Sequence, residues 1–130
     1  MLYDEYVRII QEVSQCVDAQ DYETSLRLLN DLLKSDLPDL DKCIMAINVA
    51  VVWDKRGDSS EALRWYDRAI RFEKSYDRFF AQEKKAAYFL YLGRKKDALL
   101  IYQELLKKPF LNLSEQDRMR SFILQIEGTA

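Results

Sequence analysis

The sequence predicts an all-α fold, built as a helical solenoid of three antiparallel helix pairs with a capping helix at the C-terminal end. Apolar residues recur at helical spacing along nearly all of the 130 residues, and only three glycines and two prolines interrupt them. No segment alternates apolar and polar residues between turn signals, as a half-buried strand would. One short helical pattern also occurs three times along the chain. These three observations together predict stacked helix pairs.

Seven helices are predicted, and the short connections between them indicate that successive helices run antiparallel. They cover residues 3–19, 21–34, 40–56, 59–74, 77–92, 95–107 and 115–127. Gly57 and Gly93 stand where two of these helices should end, because glycine readily takes up the left-handed backbone of a short turn. The segment around Pro38 cannot continue a helix, so a break is expected before the third helix.

Local capping signals predict where individual helices begin. Asp58 is followed three residues later by Glu61, which makes an Asp-led variant of the capping box. Ser114 and Asp117 have the same spacing and predict the start of the last helix. The apolar residues of that helix share one face: Met119, Phe122, Ile123 and Ile126. An amphipathic helix of this kind is expected to cover the exposed end of a helical stack.

The repeated pattern is clearest between Gly57 and Ile70. Its apolar stripe comprises Ala62, Leu63, Tyr66, Ala69 and Ile70. The same five places are taken by Ala98, Leu99, Tyr102, Leu105 and Leu106 in the third copy, and by Ser25, Leu26, Leu29, Leu32 and Leu33 in the first. The period of about 36 residues is typical of helical solenoids, in which each helix pair covers the apolar face of its neighbour.

The helix before each stripe carries a matching set of residues. These sets are Ile9, Glu12, Val13 and Cys16; Ala46, Val49, Ala50 and Trp53; and Gln82, Lys85, Ala86 and Phe89. With these residues and the stripes that follow, the chain resembles tetratricopeptide repeats. The resemblance implies a right-handed solenoid that forms one domain over residues 1–130. Its repeats would lie at about 5–37, 40–75 and 77–110, with the capping helix at about 114–127.

Composition argues against several functional classes. The 20 basic and 22 acidic residues give a net charge of −2, which provides no field to attract nucleic acid. No apolar run is long enough to span a membrane and no signal peptide is visible, so we expect a cytoplasmic protein. The chain has no histidine and no glycine-rich phosphate loop. We therefore expect no enzymatic activity, no cofactor and no metal, and we interpret Cys16 and Cys43 as packed free thiols.

The resemblance to tetratricopeptide repeats also implies where a partner would bind, because in that family the first helices of successive pairs line a concave groove. The corresponding residues are Val7, Ile10, Gln11, Ser14, Ile44, Ile47, Asn48, Val51, Phe80, Glu83, Lys84, Ala87 and Tyr91. Some family members bind the C-terminal carboxylate of a peptide at five places in this groove. Asn48 and Lys84 match two of them with an amide and a positive charge. The other three places hold Ile10, Ser14 and Phe80, which offer neither.

The resulting hypothesis is a non-enzymatic adaptor that holds a peptide or helix of a protein partner through apolar contacts, oriented by Asn48 and Lys84. Two alternatives remain for the apolar groove residues. They are partly core, or they form an exposed groove that takes an amphipathic helix from another protein or from a second copy of this one. The last case would make the chain a self-associating scaffold, for example a homodimer. RNA binding by a helical-pair array is a remote third possibility, because the net charge is close to neutral.

Overall fold

A computed structural model describes residues 1–128 and confirms the all-α prediction. Its seven helices are α1 (Tyr3–Asp18), α2 (Tyr22–Leu33), α3 (Asp39–Lys55), α4 (Ser59–Glu73), α5 (Phe80–Tyr91), α6 (Lys95–Leu106) and α7 (Leu113–Gly128). No strand occurs within these described residues. The chain divides into two compact units, an N-terminal unit formed by Met1–Ser75 and a C-terminal unit that begins at Tyr76. Consecutive helices pack against each other within each unit, α1 to α4 in the first and α5 to α7 in the second.

One buried cluster of the N-terminal unit combines apolar side chains from its first three helices. Its buried members are Val13, Leu26, Leu29, Leu32, Met45, Val49 and Val52. Half-buried side chains pack around this cluster, and Trp53 and Trp65 are among them. Burying one leucine completely stabilises a fold by about 1.5–3 kcal/mol. This cluster is therefore a principal stabilising element of the N-terminal unit.

The first, third and fourth places of the repeated apolar stripe are buried in all three copies, and the last place is half-buried in each. Its first place holds a small residue with no exposed surface in each case: Ser25, Ala62 and Ala98. A small side chain there lets two helices of a pair approach closely. The Ser25 hydroxyl donates a hydrogen bond to the carbonyl oxygen of Asp21 at 2.9 Å, so its polar group is satisfied although it is buried.

The turn that precedes each stripe has the same backbone in all three copies. Gln20, Gly57 and Gly93 have positive φ angles of 60°, 91° and 77°. In each turn the next N–H donates to a carbonyl five residues earlier, from Asp21 to Cys16, from Asp58 to Trp53 and from Arg94 to Phe89, at 2.8 to 2.9 Å. This pattern is the Schellman motif, which ends a helix with a left-handed residue. The expected left-handed conformation is confirmed at the two glycines, and Gln20 adopts it without being glycine.

Capping geometry confirms one predicted helix start and corrects another. Asp58 accepts a hydrogen bond from the Glu61 N–H at 3.0 Å, as its spacing predicts. The last helix begins earlier than Ser114, so that prediction was wrong. Asn112 and Glu115 form a reciprocal capping box, in which the Glu115 N–H donates to Asn112 Oδ1 at 2.8 Å and the Asn112 N–H donates to Glu115 Oε1 at 2.9 Å.

Helix α5 begins at Phe80, three residues later than the predicted start at residue 77. The residue before it, Phe79, has φ −140° and ψ 17°, outside the helical region. Its side chain is only 8% exposed, and its ring centroid lies 6.2 Å from that of Phe110. A tertiary contact therefore accompanies this boundary, and helical periodicity alone does not encode such a contact.

Candidate partner-binding surfaces

Helices α1 and α3 line a shared cavity of about 290 Å³ in the N-terminal unit. Its walls are Ile10, Val13, Ser14 and Val17 from α1, and Asn48, Val51 and Val52 from α3. Four of these residues belong to the predicted groove. Ile44 lies on the same stripe of α3, because Ile44, Asn48 and Val51 follow helical spacing. We define the α1–α3 face as Val7, Ile10, Gln11, Ser14, Ile44, Asn48 and Val51.

Apolar side chains of the α1–α3 face remain accessible although α3 is well packed. Ile44 is 44% exposed and Val51 is 38% exposed. The same helix buries other residues around most of its circumference: Cys43, Met45, Ala46, Ile47, Val49, Ala50 and Val52. A helix that is apolar all round is usually covered on every side, so the exposed apolar residues Ile44 and Val51 make this face of α3 the candidate contact surface.

One predicted groove residue belongs to the core instead. Ile47 is only 7% exposed, so its side chain is not available to a partner. It lies one residue before Asn48 and therefore points about a quarter-turn away from the accessible stripe. The interpretation of the groove residues as partly core thus applies to Ile47.

The remaining predicted residues lie on α5 in the C-terminal unit. Phe80, Lys84, Ala87 and Tyr91 share one stripe and are exposed, Tyr91 at 71%. We define these four residues as the α5 face. The Lys84 Nζ atom lies 5.2 Å from the centroid of the Phe80 ring, which is a cation–π contact. Asn48 and Lys84, the two residues expected to orient a ligand, thus belong to different units.

Glu83, the fifth predicted residue of α5, is engaged by α7. Arg118 donates from Nε and Nη2 to the two carboxylate oxygens of Glu83, both at 2.9 Å. Phe122 of the same helix stacks on Tyr102, with ring centroids 4.8 Å apart. Sequence reasoning assigned no role to Arg118. The available signal was that Arg118 directly precedes Met119, which belongs to the apolar face predicted for the last helix.

The contacts of α7 leave a cavity of about 320 Å³ beside the α5 face. Its lining residues are Phe80, Glu83, Lys84, Ala87, Leu90, Tyr102 and Phe122. Burial, together with the nearby charge of Glu83, raises the pKa of Tyr102. Its phenol therefore stays protonated at neutral pH and acts in this cavity as an aromatic wall.

Cys43 is a packed thiol, as predicted. It is 2% exposed, and its Sγ lies 3.8 Å from Oε2 of Glu73, to which it donates. Burial and the negative charge of Glu73 raise the pKa of Cys43 to about 12. The thiol therefore stays protonated at neutral pH, where only the thiolate would act as a nucleophile.

A larger cavity of about 530 Å³ lies between α2 and α4 and was not anticipated from the sequence. Its lining consists of Asn30, Leu33, Lys34, Trp65, Arg68, Arg71 and Phe72. The guanidinium carbon of Arg68 lies 4.3 Å from the centroid of the Trp65 ring. Trp65 is half-buried and packs against the buried cluster of the N-terminal unit. The usable signal was the spacing of Trp65, Arg68 and Phe72, which places all three on one stripe of α4.

No family model matches the chain, and no curated protein sequence matches it either. The resemblance to tetratricopeptide repeats therefore rests on the residues quoted above. Within residues 1–128, every helix is too short or too polar to cross a membrane.

Proposed function

We propose that the chain is a non-enzymatic adaptor of the tetratricopeptide type, in which α1–α2, α3–α4 and α5–α6 are the repeats and α7 is a capping helix. Two observations support this proposal. The same Schellman turn occurs at Gln20, Gly57 and Gly93, and a buried small residue follows each turn at the same distance. A right-handed superhelix and a cytoplasmic location remain predictions.

The α1–α3 face is the surface on which a peptide or helix of a protein partner would dock. The observation that carries this proposal is the cavity between α1 and α3, which combines apolar walls with the polar side chains of Ser14 and Asn48. Covering Ile44 and Val51 would remove apolar surface from water and so favour association. The Asn48 amide offers both donors and an acceptor, which would orient the backbone of the partner.

The α5 face would add a second type of contact. Its exposed Lys84 carries a positive charge that pairs well with a carboxylate, and Phe80 and Tyr91 add aromatic surface. Asn48 would orient a ligand on the α1–α3 face, and Lys84 would orient one on the α5 face. Since they lie in different units, each is tested by its own variant.

The decisive experiment is an affinity capture with quantitative mass spectrometry, using wild type, Asn48→Ala/Val51→Asp and Lys84→Glu. We expect the first variant to lose most specific partners, because it removes the amide and places a charge in the apolar cavity. Leu100→Asp is the matched control, since Leu100 is 60% exposed on α6 and outside both faces. Recovery of the same partners in equal amounts with Asn48→Ala/Val51→Asp would show that the α1–α3 face does not bind them.

Light scattering separates the adaptor from the self-associating scaffold. A monomeric mass at every micromolar concentration would dismiss the scaffold. A mass that grows with concentration, and that Val51→Asp restores to the monomer value, would show that the α1–α3 face takes a second copy. Titration with single-stranded RNA at low salt tests the remaining alternative, and we expect no retention because the net charge is −2.

A further inference from the structure

The cavity between α2 and α4 combines aromatic and aliphatic walls with a concentration of positive charge. Leu33, Trp65 and Phe72 form its apolar lining, and Lys34, Arg68 and Arg71 bring three cations to it. Its described lining includes no carboxylate. The acidic residues next to lining residues along the two helices are Asp31, Asp67 and Glu73, and none of them lines the cavity. Asp31 and Asp67 are exposed, whereas Glu73 is buried and accepts a hydrogen bond from Cys43.

The walls of this cavity are anchored in the fold. Leu33 and Trp65 pack against the buried cluster of the N-terminal unit, so their positions are fixed by the core. The three cationic side chains are all exposed. The apolar walls therefore lose little conformational entropy when a ligand binds, and the ordering cost falls on the three cationic side chains.

The helix ends explain the positions of only two of the three cationic side chains at this cavity. Lys34 is the C-cap of α2 and Arg71 lies in the last turn of α4, where positive charge complements the helix dipole. Arg68 lies more than one turn before the end of α4 and is not explained in this way. It lies over the Trp65 ring with its N–H groups still available to an anion at the cavity edge.

We propose that the α2–α4 cavity is a second interaction site, which binds an acidic segment of a protein partner by taking one large apolar side chain. The apolar side chain would pack against Trp65 and Phe72. Aspartate or glutamate residues on either side of it would pair with Arg68, Arg71 and Lys34, and arginine offers bidentate geometry for a carboxylate. This site shares no residue with the α1–α3 face and does not depend on binding there.

An acidic protein segment fits this cavity better than a nucleic acid does. A polyanion is attracted by an extended positive field. This cavity has only three cationic side chains, and the net charge of the whole chain is −2. A volume of about 530 Å³ with apolar walls accepts a side chain such as leucine or phenylalanine. The combination of an apolar pocket with a charged rim is the usual anatomy of a protein–protein contact.

The test uses a panel of short fluorescein-labelled peptides with a central Leu, Phe or Trp flanked by Asp and Glu. Binding to the full chain is followed by fluorescence anisotropy, together with a second panel in which Lys replaces every acidic residue. We expect at least one acidic peptide to bind at micromolar concentration, more weakly as salt is raised, and no lysine peptide to bind comparably.

Arg68→Ser/Arg71→Ser should weaken that binding by roughly tenfold or more, because the carboxylates lose their partners. These residues are exposed, and circular dichroism checks that the variant is folded. Lys96→Ser/Lys108→Ser is the matched control, since it removes the same charge from exposed positions in the C-terminal unit. It should leave the dissociation constant unchanged.

Several results would overturn the proposal. These are failure of the whole acidic panel to bind, equal binding of the lysine panel, and an unchanged dissociation constant for Arg68→Ser/Arg71→Ser. Retention of single-stranded RNA in place of peptides, lost in the same variant, would assign the site to nucleic acid. Concentration-dependent self-association that this variant abolishes would assign it to a second copy of the chain. None of these outcomes bears on binding at the α1–α3 face, which Asn48→Ala/Val51→Asp reports separately.

Discussion

At the scale of single residues, Gln20 shows how a repeat is preserved when its most favourable residue is missing. Its φ of 60° matches the turns at Gly57 and Gly93, although a side chain in this conformation is strained. A Cβ atom added at either glycine would have no atom within 4 Å. The preference for glycine in these turns is therefore a matter of backbone conformation rather than of space.

Exchanging the residues of two turns should change stability in opposite directions. We expect Gln20→Gly to raise the free energy of unfolding by about 0.5–1 kcal/mol, because it relieves the left-handed strain. Gly57→Gln should lower it by about 1 kcal/mol for the same reason. Denaturation in urea measures both values.

Ala19→Gly is the control, because Ala19 lies in the same turn as Gln20 with a φ of −82°. Glycine there relieves no strain and increases the freedom of the unfolded chain, so stability should fall. A gain in stability with Ala19→Gly as large as with Gln20→Gly would contradict the explanation.

At the scale of elements, α7 is held to the C-terminal unit mainly by apolar contacts. Met119 has no exposed surface and Ile126 is 9% exposed, in agreement with the apolar face predicted for this helix. The ion pair between Arg118 and Glu83 has good bidentate geometry, but the Arg118 side chain is 45% exposed, so solvent weakens its contribution. Burial therefore stabilises this helix more than charge does.

Shortening a buried side chain of α7 should cost far more than shortening an exposed one. We expect Met119→Ala to lower the free energy of unfolding by about 2–5 kcal/mol, because it leaves a cavity in a fully packed site. Leu124→Ala in the same helix should cost less than about 0.5 kcal/mol, since Leu124 is 69% exposed. Chemical denaturation of both variants measures the two losses in the free energy of unfolding. Equal losses would mean that α7 does not pack as described.

At the scale of the whole molecule, two buried tyrosine phenols and one buried cysteine thiol make stability depend on alkaline pH. Burial raises the pKa of Tyr66, with a smaller contribution from the charge of Asp54. The pKa values of Tyr102 and Cys43 are raised as well, the latter to about 12. As pH rises above about 9, the unfolded chain releases these protons before the folded chain does. The stability that these groups contribute is therefore complete at neutral pH and is lost as pH approaches their folded pKa values.

We expect the urea midpoint to fall steadily when pH is raised from 8 to about 10.5, because the unfolded state binds fewer protons over that range. Cys43→Ala should make this decline shallower, since it removes the group whose pKa rises to about 12. The slope with pH, rather than the absolute midpoint, is the readout, because the substitution also alters packing. A slope for Cys43→Ala identical to that of wild type would disprove the assignment.

The sequence predicted much of the fold because the relevant signals are local. Helical periodicity identifies seven helices, and left-handed turns at Gly57 and Gly93 follow from glycine alone. The candidate partner residues were predicted less completely, since Ile47 is buried and Glu83 is paired with Arg118. Both differences arise from neighbours that are distant in the chain, and spacing along one helix does not identify those neighbours.

The sequence by itself determined which residues share a helix face, because that depends only on the geometry of the backbone. Its apolar stripes therefore predicted the buried positions Ala62, Ala98 and Met119. Only the tertiary structure decided which faces meet and which remain open. The cavity between α2 and α4 exists because Trp65 and Leu33 pack on the core while Arg68 and Phe72 border open space. That outcome depends on how whole helices pack, which is a property of residue pairs far apart in the chain.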